Sequence, residues 1–267
     1  MSSPYLRAFI LAEWFKLSQS RTARATLIAM AVTPITAVWG IWAAGGNSVI
    51  LPRALQIVGA SLLLLTGLNA LLLTATLIGS EFEQGTARVT MGRGVSRAMF
   101  ILGKGAALLI MMLINTLAGW FFGSIAAIIS HLAQIGTTTL TFGILTLLTS
   151  GLDALPIVLL SAAAYISLGL VAGVITRSTS FAMLGGLGVF VIDFYFQAIV
   201  DKGSAFSILG NTVVLLNNLT FPMFSPEFNI LQEGVMKPGT AVLILITYTL
   251  IGTSLAILLL ERQDLEK

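Results

Sequence analysis

The densest run of charge lies between residues 80 and 104, SEFEQGTARVTMGRGVSRAMFILGK, where Glu81 and Glu83 precede Arg88, Arg93, Arg97 and Lys104. Acids first and bases later is the order that suits a short helix, whose N-terminus is its positive end. Gln84 and Arg88 stand four apart, as a helical pair would. Gly92 and Gly94 break the pattern, and Ser96 can cap the helix that follows. The spacing predicts a short helix projecting between two long apolar runs. Its chemistry is recognition: it is either a charged loop that satisfies topology or a docking helix for a partner.

Covalent chemistry has little to work with. The chain has no cysteine, which removes thiolate nucleophiles, thiolate metal sites and disulfides together. His131 is the single histidine, so no His-rich metal site, HExxH pair or Ser-His-Asp set can be built, and an interfacial polar role is expected. No GxxxxGK[ST] loop occurs; Gly103-Lys104-Gly105 lacks both the preceding glycine and the hydroxyl residue. Any nucleotide would have to be bound by another chain. Asp193 is the one acid well inside an apolar run, which leaves it open to a transport role, a structural role, or the catalytic role an intramembrane enzyme would need. Asn69 and Asn115, also within apolar runs, could line a transport path, though interhelical hydrogen bonding is the commoner use.

The elements that carry these residues follow from composition. Hydrophobic residues make up 57% of the 267 and charged ones 9%, against roughly 25% charged in a soluble domain, so this surface cannot be solvated by water. A helix needs about 20 apolar residues to cross roughly 30 Å of hydrocarbon. Six runs qualify, near 25–44, 55–79, 105–130, 154–176, 181–200 and 240–260. They are continuous, not alternating, which favours helices over a barrel. The fold class is an all-α membrane protein of six transmembrane helices in a single domain, 1–267. Residues 140–150 are too short to span. Residues 205–221, interrupted by Asn211, Asn217 and Asn218, are expected to be re-entrant, with a seventh span as the alternative.

Lys and Arg placement orients the spans. Segments 1–24, 80–104, 177–180 and 261–267 hold 11 of the 14 basic residues, and only Arg53, Lys202 and Lys237 lie on the other side. The expectation is a plasma-membrane protein with both termini cytoplasmic. Basic residues along the membrane edges suit anionic lipid and not nucleic acid. Within 1–24, Leu6, Phe9, Ile10, Trp14 and Leu17 share one helical face with Arg7 and Lys16 off it, as in an interfacial helix. Glu13 falls inside that apolar stripe. It either snorkels to headgroups or faces protein and pairs with a base of the 80–104 loop. The outer stretch 201–239 is too apolar for a free loop and too broken for a span. It either lies on the membrane or dips into it, buried in protein or lining a wet cavity. Gly119/Gly123 and Gly169/Gly173 fit the GxxxG spacing of close helix packing, within one subunit or between two.

Glu81-Phe82-Glu83-Gln84-Gly85-Thr86 with Arg88, then Gly94-Val95-Ser96-Arg97, then Gly103-Lys104, resembles the signature of ABC-2 type transporter permeases. Gly94 stands where that family usually has proline. The similarity extends over the whole chain and includes the amphipathic N-terminal helix with Glu13, Trp14 and Lys16, and the apolar outer segment before the last span. It implies the membrane subunit of a bacterial ABC exporter for a hydrophobic or amphipathic cargo. Two copies of a separate ATPase would carry ATP and Mg, with no cofactor on this chain. A second permease copy or homologue would pair with it. The helix at 81–91, with Glu81, Glu83, Gly85, Thr86, Arg88, Arg93 and Arg97, would be the coupling helix seated on the ATPase. The rival function is a non-transporting membrane scaffold or assembly factor.

Overall fold

The computed structural model describes residues 3–43, 51–135, 140–198, 205–219 and 237–262. Apart from short connections, these residues form helices: α1 (Ser3–Gln19), α2 (Arg21–Ala43), α3 (Leu51–Glu83), α4 (Thr86–Gly92), α5 (Arg97–Ile135), α6 (Leu140–Thr176), α7 (Thr179–Ala198), α8 (Ile208–Leu219) and α9 (Pro238–Arg262). Six of them, α2, α3, α5, α6, α7 and α9, are long and apolar enough to cross a membrane. The protein is therefore a multi-pass membrane protein.

Burial ranks the spans. In α3 and α6, 67% of the most apolar window is buried, against 11% in α7 and 17% in α9, so α3 and α6 form the centre and the others are arrayed around them. α2 packs along α5, α7 along α3, and α9 along α6. Small residues set these approaches. Gly169 and Gly173 of α6 rest against Thr74 and Ile78 of α3, where a Cβ would come within 2.7 Å of the facing side chain. Gly123 of α5 lies against Val58 and Pro34 at similar range. Both GxxxG pairs thus close contacts within this one chain, the use such spacing has between helices that gain nothing from excluding water.

One segment differs from the sequence expectation, and a second loses its alternative reading. Residues 140–150 are not a separate short stretch; they are the first turns of α6, which runs for 37 residues. At 1.5 Å per residue it is about 55 Å long, well beyond the hydrocarbon core, so bilayer thickness did not mark its start. Within 205–221, α8 has 12 residues, about 18 Å, too short for a seventh crossing. Its residues Ile208–Leu216 are buried throughout, packed on α6 and α9. Most of the remaining outer stretch, 201–204 and 220–236, lies outside the described residues.

Candidate functional site

α1 lies against α5 because residue 103 has no side chain. A Cβ there would collide with the edge of the Phe9 ring, so only glycine lets α1 settle onto α5. The next residue uses that closeness. Lys104 is 0% exposed, and its Nζ stands 2.6 Å from Glu13 Oε2 and 2.8 Å from Glu81 Oε2. Lys16 Nζ donates to the other oxygen of Glu81. The Phe100 ring lies 4.8 Å from the Lys104 ammonium. The result is an alternating chain, Glu13–Lys104–Glu81–Lys16, that joins α1, α3 and α5. Glu13 therefore faces protein and pairs with a base of the 80–104 segment, namely Lys104. Trp14, next to it, is only partly covered.

Glu83 performs a different task. Its carboxylate accepts hydrogen bonds from Ser178 Oγ (2.9 Å), the Thr179 amide (2.8 Å) and Thr179 Oγ1 (2.8 Å). These groups form the N-terminus of α7, where amides lack helical partners and negative charge is favoured. Gly79, one turn earlier on the same face of α3, lets the α7 backbone come close: a Cβ would lie 2.6 Å from Thr179 Cα. Glu83 sits beyond the apolar run of α3 and is exposed; the Thr179 and Ser178 donors hold its carboxyl below the usual carboxylate range. Arg97, at the start of α5, donates to the Glu261 carbonyl of α9 (2.6 Å). One end of the bundle thus gathers α1, the 80–104 segment, the α6–α7 turn and the end of α9. These are the regions whose basic residues the charge pattern grouped together.

The projecting helix is shorter than 81–91. Glu81 and Glu83 belong to the last turn of α3, Gly85 turns the chain at φ 70°, and α4 covers only Thr86–Gly92, with no acid in its first turn. The acid-then-base order therefore does not describe one helix. Both acids end α3 and are satisfied by other elements, by the two lysines and by the α7 N-terminus. Thr86 Oγ1 donates to the Glu81 carbonyl at 3.3 Å, tying α4 to that last turn. Ala87 is fully buried, whereas Arg88, Val89, Gly92 and Arg93 are exposed, Val89 at 53%. Gly94 follows at φ 90°, a conformation closed to proline with its φ near −65°, so this turn differs from the proline form. Ser96 caps α5 as expected, its Oγ accepting from the Met99 amide at 3.2 Å.

The polar residues of the spans have separate engagements. Asp193 of α7 accepts from Tyr165 of α6 and from the Ile208 and Leu209 amides at 2.7 and 3.0 Å, so it caps α8 from outside. Those donors take up both of its oxygens. Asn115 Nδ2 of α5 lies 3.3 Å from Thr26 Oγ1 of α2, an interhelical bond. Asn69 is buried on α3. His131 is 4% exposed near the end of α5, enclosed by neighbouring side chains. No group of three metal-ligating side chains occurs among the described residues. Sequence reasoning missed Tyr165, Ser178 and Thr179 and did not single out Lys104. The signal for Lys104 was present, since a lysine entering an apolar run needs an acid.

A comparison with curated proteins returned no match. The family model for the ABC-2 family transporter protein matches residues 9–186, a stretch that contains α4 and every side chain of the ion-pair chain. That match covers more than half of the 267 residues, and the chain belongs to the ABC-2 transporter family.

Proposed function

We propose that this chain is the permease subunit of an ATP-driven exporter, and that α4 is the contact through which a separate ATPase drives it. The observation that carries this reading is the way α4 is mounted. An exposed seven-residue helix, with Val89 between Arg88 and Arg93, follows directly on the last turn of the central span α3 and leads into α5. Its root is braced by the Glu13–Lys104–Glu81–Lys16 chain on one side and by Glu83 at the α7 N-terminus on the other. A force on α4 would reach α1, α3, α5 and α7 together, which a flexible loop would not achieve.

The ATPase, present in two copies, binds ATP and Mg, and a second permease copy completes the membrane path. The positive-inside pattern supports a cytoplasmic position for the α4 end of the bundle, with both termini on that side. The cargo is hydrophobic or amphipathic, because the spans offer almost no charge with which to hold an ion.

Co-expression with a candidate ATPase tests the reading. Co-purification of the two chains, with cargo export from reconstituted vesicles that requires ATP, is the expected result. Stable co-purification without ATP-dependent flux would leave only a scaffold.

A further inference from the structure

Beside the contact of α1 with α5 lies a groove of about 570 Å³. Tyr5, Leu6 and Phe9 of α1 form one wall, and Met99 and Leu102 of α5 stand in the other. Arg93, in the turn between α4 and α5, is the one charged side chain of its lining. That arginine is exposed and enters no ion pair among the described residues; the acids of this end are held by Lys16 and Lys104.

The level of the groove follows from the chain. Ser20 alone separates α1 from α2, so α1 lies where that span begins. Phe9 packs at Gly103, six residues or about 9 Å beyond the start of α5 at Arg97. Leu102, beside that contact, is 49% exposed. Leu11 and Phe15, one turn apart on α1, are exposed as well. Apolar side chains in such number on a helix at this level belong in the boundary between headgroups and acyl chains, not in water. Tyr5, the most exposed of them at 74%, is of the type enriched there.

The groove therefore has two characters, a guanidinium next to α4 and an apolar trough that follows α5 toward hydrocarbon. A water-soluble acid would satisfy Arg93 and leave the trough bare. A neutral lipid would fill the trough and leave Arg93 without a counter-charge. A lipid of net negative charge answers both, and the cytoplasmic leaflet carries such lipids. We propose that the groove binds one anionic glycerophospholipid of the leaflet at the ion-pair end, with its phosphate beside Arg93 and an acyl chain along Phe9, Met99 and Leu102. The site stands on the bilayer setting and one arginine, and does not depend on the export reading.

The test uses the full-length wild-type chain in phosphatidylcholine vesicles doped with a small share of phosphatidylglycerol or phosphatidylcholine that bears a diazirine on its acyl chain. After illumination, adducts on Phe9, Met99 and Leu102 should be about fivefold more abundant from phosphatidylglycerol, the ratio expected for one basic side chain acting on one net charge. Leu250 and Leu255, exposed on α9, should be labelled equally by the two lipids. Arg93→Gln should bring the groove ratio to one and leave the α9 labelling as it was. Arg7→Gln, which removes an exposed cation of α1 outside the groove, should leave the ratio in place. Equal labelling of the groove by the two lipids in the wild-type chain would overturn the proposal. So would an equal loss of preference in Arg7→Gln, which would assign it to the general positive field of this end. Loss of the groove adducts on binding of a co-purified ATPase would assign the groove to that chain and overturn the proposal as well.

Discussion

Lys104 is a fully buried ammonium whose two nearest anions come from different helices, Glu13 of α1 and Glu81 of α3. With Lys16 the cluster has two charges of each sign and no net charge. Desolvation offsets much of its Coulomb gain, so its net contribution is small, but removing one member is not a small change. Lys104→Met keeps the volume, leaves the Glu13 carboxylate uncompensated and leaves Glu81 facing it with Lys16 alone. The expected loss is about 3–5 kcal/mol, read as a drop in the melting temperature of the detergent-solubilised chain. Replacing Glu13 and Glu81 with Leu as well should restore most of the stability, since an apolar cluster needs no partner. An unchanged melting temperature in Lys104→Met would show that the ammonium is not held as described. Glu83 behaves differently with pH. Its folded carboxyl titrates below the ordinary range, so its link to α7 is fully present above the unfolded glutamate pKa and is lost only as pH falls through the depressed value. Hydrogen exchange at the Thr179 amide, corrected for intrinsic rate, should stay protected at a pH where a free glutamate is half protonated. The Glu83→Gln variant should show weaker protection at every pH, with no acid transition.

At the scale of elements, the contact of α1 with α5 rests on one missing side chain. Gly103→Val should drive the Phe9 ring off α5 and cost about 1–3 kcal/mol by overpacking. It should also raise hydrogen exchange throughout α1 and pull Glu13 away from Lys104. Adding Phe9→Ala should recover part of the loss, because the same space then becomes free; an additive double variant would place the fault elsewhere. This contact also shows what could be read in advance. Glu13 in an apolar stripe called either for headgroups or for a cation of the 80–104 segment, so the pairing was legible as one of two readings although its partner was not. The six crossings were legible because hydrocarbon thickness fixes a minimum apolar length. That same rule sets no maximum, which is why 140–150 looked separate from α6. The break at Gly85 was hidden for another reason. Glu81 and Glu83 are the right residues for a helix N-terminus, but the N-terminus that uses Glu83 is that of α7, 96 residues away in sequence. Asp193 conceals a similar displacement, since it caps α8 from another helix. A local reading assigns a carboxylate to its own neighbourhood, whereas tertiary structure here assigns both to distant helix starts.

Across the whole molecule, the proposed contact with an ATPase and the delivery of its work to the spans would be separable, because different residues would carry them. Val89 is an apolar side chain exposed on α4, apart from the ion pairs and hydrogen bonds of the brace beneath it, whereas Gly79 and Glu83 join α3 to α7 and lie outside α4. Val89→Asp should therefore abolish co-purification of the ATPase and all stimulated ATP turnover, with the melting temperature of the permease unchanged. Gly79→Leu should do the reverse. Its side chain would meet the α7 backbone at residues 178 and 179, which cannot move aside as a flexible side chain does. The two chains should still co-purify and hydrolyse ATP, but cargo flux per ATP should fall by about tenfold or more, since one net contact of about 1.4 kcal/mol already corresponds to a factor of ten. The chain has no cysteine of its own, so Val89→Cys provides a unique reporter of the face on which this occurs. A membrane-impermeant maleimide should label it in inside-out vesicles and not in intact cells, and bound ATPase should block the reaction. Labelling in intact cells would put α4 on the wrong side of the membrane for any cytoplasmic motor to reach.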